Sequence, residues 1–122
     1  MATVLVVEDN AANMKLATFL LTSAGHTVLS ATNAEAGLTL ARDEHPDIIL
    51  MDIQLPGMDG LEACAQLKAD EATRDIPVIA LTALAMKGDE DRIRAAGCDG
   101  YIAKPMRYHE FLATIAFQLS PT

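Results

Sequence analysis

Five short aliphatic runs, each followed by a longer segment of helical periodicity, constrain the fold of this chain more than any other feature. The runs predict strands at residues 4–7, 27–31, 47–51, 78–81 and 101–103. Strands that alternate with helices form a parallel sheet that is wrapped by helices. Because these runs are almost unbroken in their apolar character, we expect the strands to be covered on both faces. The sequence therefore predicts a doubly wound α/β domain with a five-stranded parallel sheet.

The segments between the runs predict five helices. The first is predicted over residues 11–24, with Asn10 as its cap and Gly25 at its end. Its apolar stripe consists of Met14, Leu16, Ala17, Leu20 and Leu21. A second helix follows Asn33, a third follows Asp59, a fourth covers about residues 89–96 and a fifth starts near Arg107. The face of the fifth helix that we expect on the sheet consists of Tyr108, Phe111, Leu112, Ile115 and Leu119.

Length and charge limit the classes of function. The 122 residues match one ordinary domain, so we expect a single domain over 1–122 with no output domain. Nine basic and seventeen acidic residues give a net charge of −8, which would repel nucleic acid and an anionic membrane surface. The apolar runs are far shorter than the roughly 20 residues of a membrane span, and the N-terminus lacks a signal-peptide pattern. These features predict a cytoplasmic domain whose partners are proteins.

The two cysteines, Cys64 and Cys98, have no neighbours at metal-ligand spacing. Free cysteines are most often small buried residues, so we expect both to be buried or half-buried. A reducing compartment disfavours a disulfide between them.

Side chains with chemical capability follow four of the five predicted strands. Glu8 and Asp9 come after the first strand, Asp52 after the third, Thr82 after the fourth and Lys104 after the fifth. Ligands of open parallel sheets bind beyond the carboxyl ends of the strands. Each of these residues taken alone has an ordinary structural explanation, such as a helix cap or a solvated side chain. Their arrival at one edge of the sheet predicts a shared site.

Three carboxylates brought together repel one another and require a cation. Oxygen ligands of this kind suit Mg²⁺, which needs few protein ligands and keeps several waters. A metal at this position would neutralise an incoming phosphoryl group and allow Asp52 to attack phosphorus as a nucleophile. Lys104 and the Thr82 hydroxyl could each bind a phosphoryl oxygen.

Four motifs resemble the receiver domain of two-component response regulators over essentially the whole chain. They are Val-Glu-Asp-Asn at positions 7 to 10, Met-Asp-Ile-Gln-Leu-Pro-Gly-Met-Asp-Gly at 51 to 60, Leu-Thr-Ala at 81 to 83 and Lys-Pro at 104 to 105. The stretch at 85–90, followed by Gly-Cys at 97 to 98, is similar to the stand-alone regulators of this family. The family implies a flavodoxin-like sheet with strand order 2-1-3-4-5.

The resemblance also implies roles for individual residues. Asp52 matches the phosphoacceptor, which receives its phosphoryl group from a histidine kinase or a histidine phosphotransfer protein. Glu8 and Asp9 match the acidic pocket that binds Mg²⁺ or Mn²⁺ with Asp52, and the backbone carbonyl of Gln54 completes the metal shell. The implied switch consists of Thr82, a rotating Tyr101 and a cis peptide before Pro105, with Lys104 binding the phosphoryl group. A downstream protein would bind the face formed by the fourth helix, the fifth strand and the fifth helix, and the unphosphorylated domain would be a monomer.

Three other functions compete with a phosphorylated switch. A phosphoaspartyl hydrolase of the haloacid dehalogenase type needs a second acid two positions after the nucleophile, where this chain has Gln54. A cofactor-binding flavodoxin-like protein offers hydroxyls and amides to a phosphate, which Glu8 and Asp9 would instead repel. A receiver that acts as an unphosphorylated scaffold remains compatible with the residues, although all five motif positions are intact.

Overall fold

The computed structural model describes residues 2–83, 87–104 and 106–119, without the side chains of residues 87–89. The strands are β1 (Thr3–Val7), β2 (Thr27–Ala31), β3 (Ile48–Asp52), β4 (Val78–Thr82) and β5 (Gly100–Ala103). The helices are α1 (Ala11–Ser23), α2 (Ala34–Glu44), α3 (Gly60–Ala69), α4 (Lys87–Ala95) and α5 (Tyr108–Leu119). All ten predicted elements are present, with boundaries that differ from the predicted ones by a few residues at most.

The strands form one parallel sheet in the order β2-β1-β3-β4-β5, which confirms the predicted fold class. β3 and β4 lie inside the sheet, and all their residues are buried. The edge strand β2 is buried only at Ala31, so the expectation of cover on both faces is wrong there. An edge strand has a neighbour on one side only, and its exposed positions, Thr27 and Ser30, are polar.

The sheet separates two apolar layers. On one face, Leu38 of α2, Leu67 of α3 and Ile93 of α4 pack against Leu5 and other strand residues. On the opposite face, Leu21 of α1 and Phe111 of α5 pack against residues that include Val4, Val6 and Leu50. Alternate residues of a strand point to opposite faces, so each central strand contributes to both layers.

Local hydrogen bonds fix where the helices begin. The side chain of Asn10 accepts a hydrogen bond from the amide of Asn13 at 3.0 Å and caps α1, as predicted. Asn33 and Asp59 cap α2 and α3 in the same way. A side-chain oxygen at this position satisfies an amide that has no partner within the helix.

Two of the residues assigned to buried helix stripes are exposed. Leu16 is 38% exposed, because it is displaced by one position, about 100°, from Ala17 around α1 and lies at the margin of the buried stripe. Tyr108 is 50% exposed at the first position of α5, where its ring contacts that of His109. Phe111 and Ile115 of the predicted stripe are buried, as expected, and Leu112 and Leu119 are partly buried against the core.

An ion pair holds α3 to the amino ends of β4 and β5. The ammonium of Lys68 lies 2.8 Å from the Asp99 carboxylate and also donates to the carbonyl of Ile76 at 2.9 Å. The same carboxylate oxygen of Asp99 accepts a hydrogen bond from the amide of Val78 at 2.8 Å. Hydrogen bonds between ionised side chains and backbone groups are among the stronger ones in proteins. We refer to Lys68, Ile76, Val78 and Asp99 as the Lys68 cluster.

We expect Gly60→Ala to destabilise the domain, because a Cβ at this position would overlap the carbonyl oxygen of Asp52 and lie 2.7 Å from the Cα of Ile53. Both neighbours are backbone atoms and cannot rotate away, so the start of α3 must shift. The expected loss in the free energy of unfolding is about 1–3 kcal/mol, measured by urea denaturation. Ala65→Ser at an exposed position of the same helix is the control and should lose less than about 0.5 kcal/mol. Equal losses in the two variants would contradict this interpretation.

Candidate functional site

The predicted site residues converge at the carboxyl edge of the sheet. Glu8 directly follows β1, Asp52 ends β3, Thr82 ends β4 and Lys104 directly follows β5. The strands are parallel and paired in register, so their last residues lie side by side. Residues far apart in the sequence are thereby brought into contact.

Lys104 bridges two buried carboxylates. Its Nζ lies 2.8 Å from Oε1 of Glu8 and 3.1 Å from Oδ2 of Asp52. Glu8 is 1% exposed and Asp52 is 2% exposed, so water screens this arrangement poorly. One ammonium between two acids leaves this group of three side chains with a formal charge of −1.

Backbone amides orient the same carboxylates. The amide of Gln54 donates to Oδ1 of Asp52 at 2.9 Å, and the amide of Asn10 donates to Oε2 of Glu8 at 3.2 Å. The amide of Lys104 donates to the carbonyl oxygen of Thr82 at 2.7 Å, which ties the residue after β5 to the end of β4. Each acid is therefore held by one backbone donor and by the Lys104 ammonium.

Burial and neighbouring charge change the proton affinities of the site. Burial raises the pKa of Glu8, and the nearby Asp52 raises it further, although the Lys104 ammonium partly opposes the shift. Burial alone would lower the pKa of Lys104, but its contacts with Glu8 and Asp52 outweigh that effect, and the pKa of Lys104 is raised. Lys104 therefore remains a cation at neutral pH.

Glu8, Asp9 and Asp52 form a group of acids that could hold a metal ion. Carboxylate oxygens from the three residues lie within 4.8 Å of one another. Oε1 of Glu8 is buried and contacts the Lys104 ammonium, but it accepts no hydrogen bond of good geometry from the part of the chain that the structure describes. A buried oxygen with spare acceptor capacity, beside two further carboxylates, fits the ligand set of a hard divalent cation.

A cavity of about 550 Å³ opens over these acids. Its lining residues are Glu8, Asp9, Asn10, Ala11, Asn13, Asp52, Gln54, Ala83 and Lys104. Asp9 is exposed, whereas Glu8 and Asp52 are buried, so the acids lie at different depths. The cavity is large enough for a phosphoryl group together with hydrated metal.

Sequence reasoning missed two polar residues that line this cavity. Asn10 was interpreted only as a helix cap, and Asn13 had no predicted role, yet both residues line the cavity. The signal that could have identified them is their position in the turn between β1 and the first turn of α1, directly after the paired acids.

The three predicted switch residues lie in different places: Thr82 is beside the cavity, Tyr101 borders another cavity, and Pro105 is outside the described residues. Thr82 is fully buried, and the cavity wall next to it is formed by Ala83. Tyr101 is partly buried on β5 and borders a separate cavity of about 330 Å³ with Arg107, Glu110 and Thr114. Pro105, and with it the predicted cis peptide, lies outside the described residues. The switching roles of these residues remain predictions.

Replacing Lys104 with Met should destabilise the protein at neutral pH by about 3 kcal/mol, because two buried carboxylates lose their cation. This loss of stability should become smaller as the pH falls towards about 5. In the variant, repulsion between the Glu8 and Asp52 carboxylates raises the pKa of Glu8 further. Glu8 therefore takes up a proton as the pH falls, and the repulsion between the two acids disappears. Urea denaturation at both pH values measures the difference. Lys15→Met removes an exposed lysine of α1 and should change stability by less than about 0.5 kcal/mol. A loss that is the same at both pH values would contradict the electrostatic explanation.

Comparisons with known proteins agree on one family. Residues 4–116 match the family model of the response regulator receiver domain. The chain is 53% identical over 112 residues to the polar-differentiation response regulator DivK of Brucella ovis, covering 92% of this chain and 91% of that protein.

Solved structures of the same fold are also similar to this chain. The receiver domain of a sensor histidine kinase from Pseudomonas aeruginosa, with a magnesium ion in its active-site cleft, matches with a TM-score of 0.90 and 34% identity over 97% of both chains. The chemotaxis protein CheY4 of Vibrio cholerae matches with a TM-score of 0.92 and 26% identity, covering 98% of this chain and 99% of that chain. Among the described residues, no helix has the length and apolar character that a membrane span requires. The sequence match, the strand order and the acidic edge of the sheet together show that this chain belongs to the response regulator receiver domain family.

Proposed function

We propose that this chain is a phosphoacceptor switch in a phosphorelay, in which Asp52 receives a phosphoryl group from a phosphohistidine of a histidine kinase or a histidine phosphotransfer protein. The observation that carries the proposal is the buried arrangement of Asp52, Glu8 and Lys104 beneath an open cavity. An ordinary structural ion pair needs one acid and one base, whereas this site keeps an excess of acid. That excess of negative charge suits a bound cation, which would in turn allow an anionic phosphoryl group to bind.

The proposed transfer uses the Asp52 carboxylate as the nucleophile. One of its oxygens attacks phosphorus in line, and the bond between phosphorus and the imidazole nitrogen breaks, with the electron pair staying on nitrogen. The other ring nitrogen of the phosphohistidine carries a proton, so the donor histidine leaves as a neutral imidazole. The amide of Gln54 holds Asp52 from the backbone side, 2.9 Å away, and limits the orientations of the carboxylate. The Lys104 ammonium, 3.1 Å from Asp52, can follow the charge as it moves from the carboxylate to the phosphoryl oxygens.

We further propose that Glu8, Asp9, Asp52 and the backbone carbonyl of Gln54 hold Mg²⁺, or Mn²⁺ in its place. The cluster of three acids and the spare acceptor capacity of Glu8 support this ligand set. The bound ion would neutralise phosphoryl charge that the acids would otherwise repel. Exposed Asp9 lies where a hydrated ion from solvent would first meet the site.

The phosphorylated state would be stabilised by Thr82 and Lys104. Reversing a two-state equilibrium from 1:99 to 99:1 needs about 5.5 kcal/mol. Hydrogen bonds to charged groups contribute about 1.5–3 kcal/mol each, so two such bonds to phosphoryl oxygens are of the required size. In this proposal Thr82 moves towards the phosphoryl group and Tyr101 turns inward behind it. The net free energy gained from the Lys104 bond is smaller than this, because Lys104 already contacts Glu8 and Asp52 in the unphosphorylated protein.

The signal is proposed to leave through the domain's own surface, at the face of α4, β5 and α5, to a downstream protein. The match along 91% of a DivK protein supports action as a single receiver domain. The net charge of −8 supports protein partners over nucleic acid or membrane surfaces. In this proposal the domain is a monomer in the cytoplasm before phosphorylation.

Incubation with Mg²⁺ and acetyl phosphate should give an acid-stable, base-labile phosphoryl adduct, detected by intact mass and by peptide mapping to Asp52. Asp52→Asn should abolish the adduct because an amide is a poor nucleophile towards phosphorus. Asp59→Asn is the matched control: Asp59 caps α3 outside the cavity, and Asn preserves the cap, so labelling should be unchanged. Undiminished labelling of Asp52→Asn would show that the nucleophile is a different residue.

Mg²⁺ should stabilise the folded protein, because it binds a site that the unfolded chain lacks. At a free concentration ten times the Kd, the gain in the free energy of unfolding is about 1.4 kcal/mol, measured as a rise in the thermal unfolding midpoint. Asp9→Asn should remove most of this gain, whereas Asp43→Asn, at an exposed position of α2, should retain it. A gain that persists in Asp9→Asn would remove Asp9 from the proposed ligands.

A further inference from the structure

Cys64 and Cys98 are in contact although they are 34 positions apart. Cys64 lies on α3 and Cys98 lies between α4 and β5. Their sulfur atoms are 3.0 Å apart, and the Cys98 thiol donates a hydrogen bond to the Cys64 sulfur. Both cysteines are free thiols, so the structure contains a dithiol within the protein interior.

Contacts around the cysteines hold their sulfurs together independently of any bond between them. Lys68, one helical turn after Cys64, forms its ion pair with Asp99, which directly follows Cys98. The amide of Cys98 donates to the carbonyl of Ile93 at 3.3 Å, and Gly97 turns the chain with a φ of 95°. The Lys68 cluster therefore fixes the backbone on both sides of the dithiol.

The two sulfurs differ in their chemistry. The hydrogen bond from Cys98 lowers the pKa of the Cys64 thiol, and the Lys68 ammonium lowers it further, against the effect of burial. The shared hydrogen bond and burial raise the pKa of Cys98. Because the thiolate is the reactive form of cysteine, Cys64 is the sulfur that reacts first with an electrophile.

We propose that Cys64 and Cys98 form an oxidative modification site at which a hydroperoxide converts the dithiol into an intramolecular disulfide. With hydrogen peroxide as the oxidant, the Cys64 thiol loses its proton, the thiolate attacks one peroxide oxygen and the oxygen–oxygen bond breaks. The departing hydroxide takes up that proton, so the products are a sulfenic acid and one water. The Cys98 sulfur then attacks the Cys64 sulfur, the sulfur–oxygen bond breaks, and the Cys98 proton leaves with the hydroxyl as a second water. Two thiols are oxidised and one peroxide is reduced.

Burial determines which oxidants can reach the site. Cys64 has no exposed surface and Cys98 is 9% exposed, so only a small molecule can approach the sulfurs without unfolding the protein. Hydrogen peroxide satisfies this condition, whereas a bulky disulfide such as oxidised glutathione does not. Cys98 lies close enough to capture the sulfenic acid before a second peroxide oxidises it further.

The test treats the folded 122-residue chain with hydrogen peroxide, with no phosphodonor present, so its outcome is independent of the proposed phosphotransfer. We expect the intact mass to fall by that of two hydrogen atoms and to recover with dithiothreitol, and peptide mapping to join the fragments that contain Cys64 and Cys98. The disulfide should exceed sulfinic acid at Cys64 by about tenfold, because capture is intramolecular. Cys98→Ser should shift the product to oxygen adducts of Cys64.

Three results would overturn the proposal. They are a predominance of sulfinic acid in the wild-type protein, disulfides that join separate molecules, and thiols that remain fully alkylatable after treatment. The thermal unfolding midpoint of the oxidised monomer supplies a check that needs no substitution. A bond formed from the native contact leaves the fold in place and restricts the unfolded chain, which raises the midpoint. A lower midpoint would show that the bond formed in distorted molecules and would also refute the proposal.

Discussion

The contact of one ammonium with two buried carboxylates organises the whole carboxyl edge of this protein. Glu8, Asp52 and Lys104 come from the ends of three different strands, and each would be costly to bury alone. Lys104 makes their burial tolerable, with Nζ 2.8 Å from Glu8 and 3.1 Å from Asp52. Because the compensation is incomplete, the edge keeps a net negative charge. This residual charge is the basis for proposing a metal ion, which would offset the repulsion between the acids and a phosphoryl group.

The fold brings these three side chains together because each lies at the last residue of a strand or directly after it. β1 and β3 are neighbours in the sheet, and β4 separates β3 from β5. The Lys104 side chain therefore reaches past the end of β4, where its own amide donates to the carbonyl of Thr82. The reacting groups stand on a rigid scaffold, which limits the reorganisation that a transfer requires.

Much of the fold and the site could be predicted from residue patterns. β3 and β4 could be predicted from their aliphatic runs, because strands buried on both faces tolerate few polar residues. The meeting of Asp52 and Lys104 in one site could be predicted, because the carboxyl ends of parallel strands lie at a common edge of the sheet. The order of the strands came from the family resemblance, since periodicity does not determine which strands are neighbours.

Other features depend on tertiary contacts that no local pattern encodes. Leu16 and Ala17 are adjacent in the sequence and both are apolar. Only the position of α1 on the sheet determines that Leu16 is exposed and Ala17 is buried. The contact of Cys64 with Cys98 requires α3 and the chain after α4 to meet. Lys68 looks like a solvated lysine in the sequence, yet its ammonium is engaged by Asp99 and by a backbone carbonyl.

The lysines at the two ends of the sheet contact different kinds of group. At the amino ends of β4 and β5, the charges of the Lys68 cluster are committed to backbone groups of the same chain, such as the amide of Val78 and the carbonyl of Ile76. At the carboxyl ends, the Lys104 ammonium contacts the side-chain acids Glu8 and Asp52, whose charge a covalent adduct can alter. A covalent adduct at Asp52 would therefore change the charge balance at the carboxyl ends, while the contacts of the Lys68 cluster at the amino ends of β4 and β5 involve none of the groups that it alters.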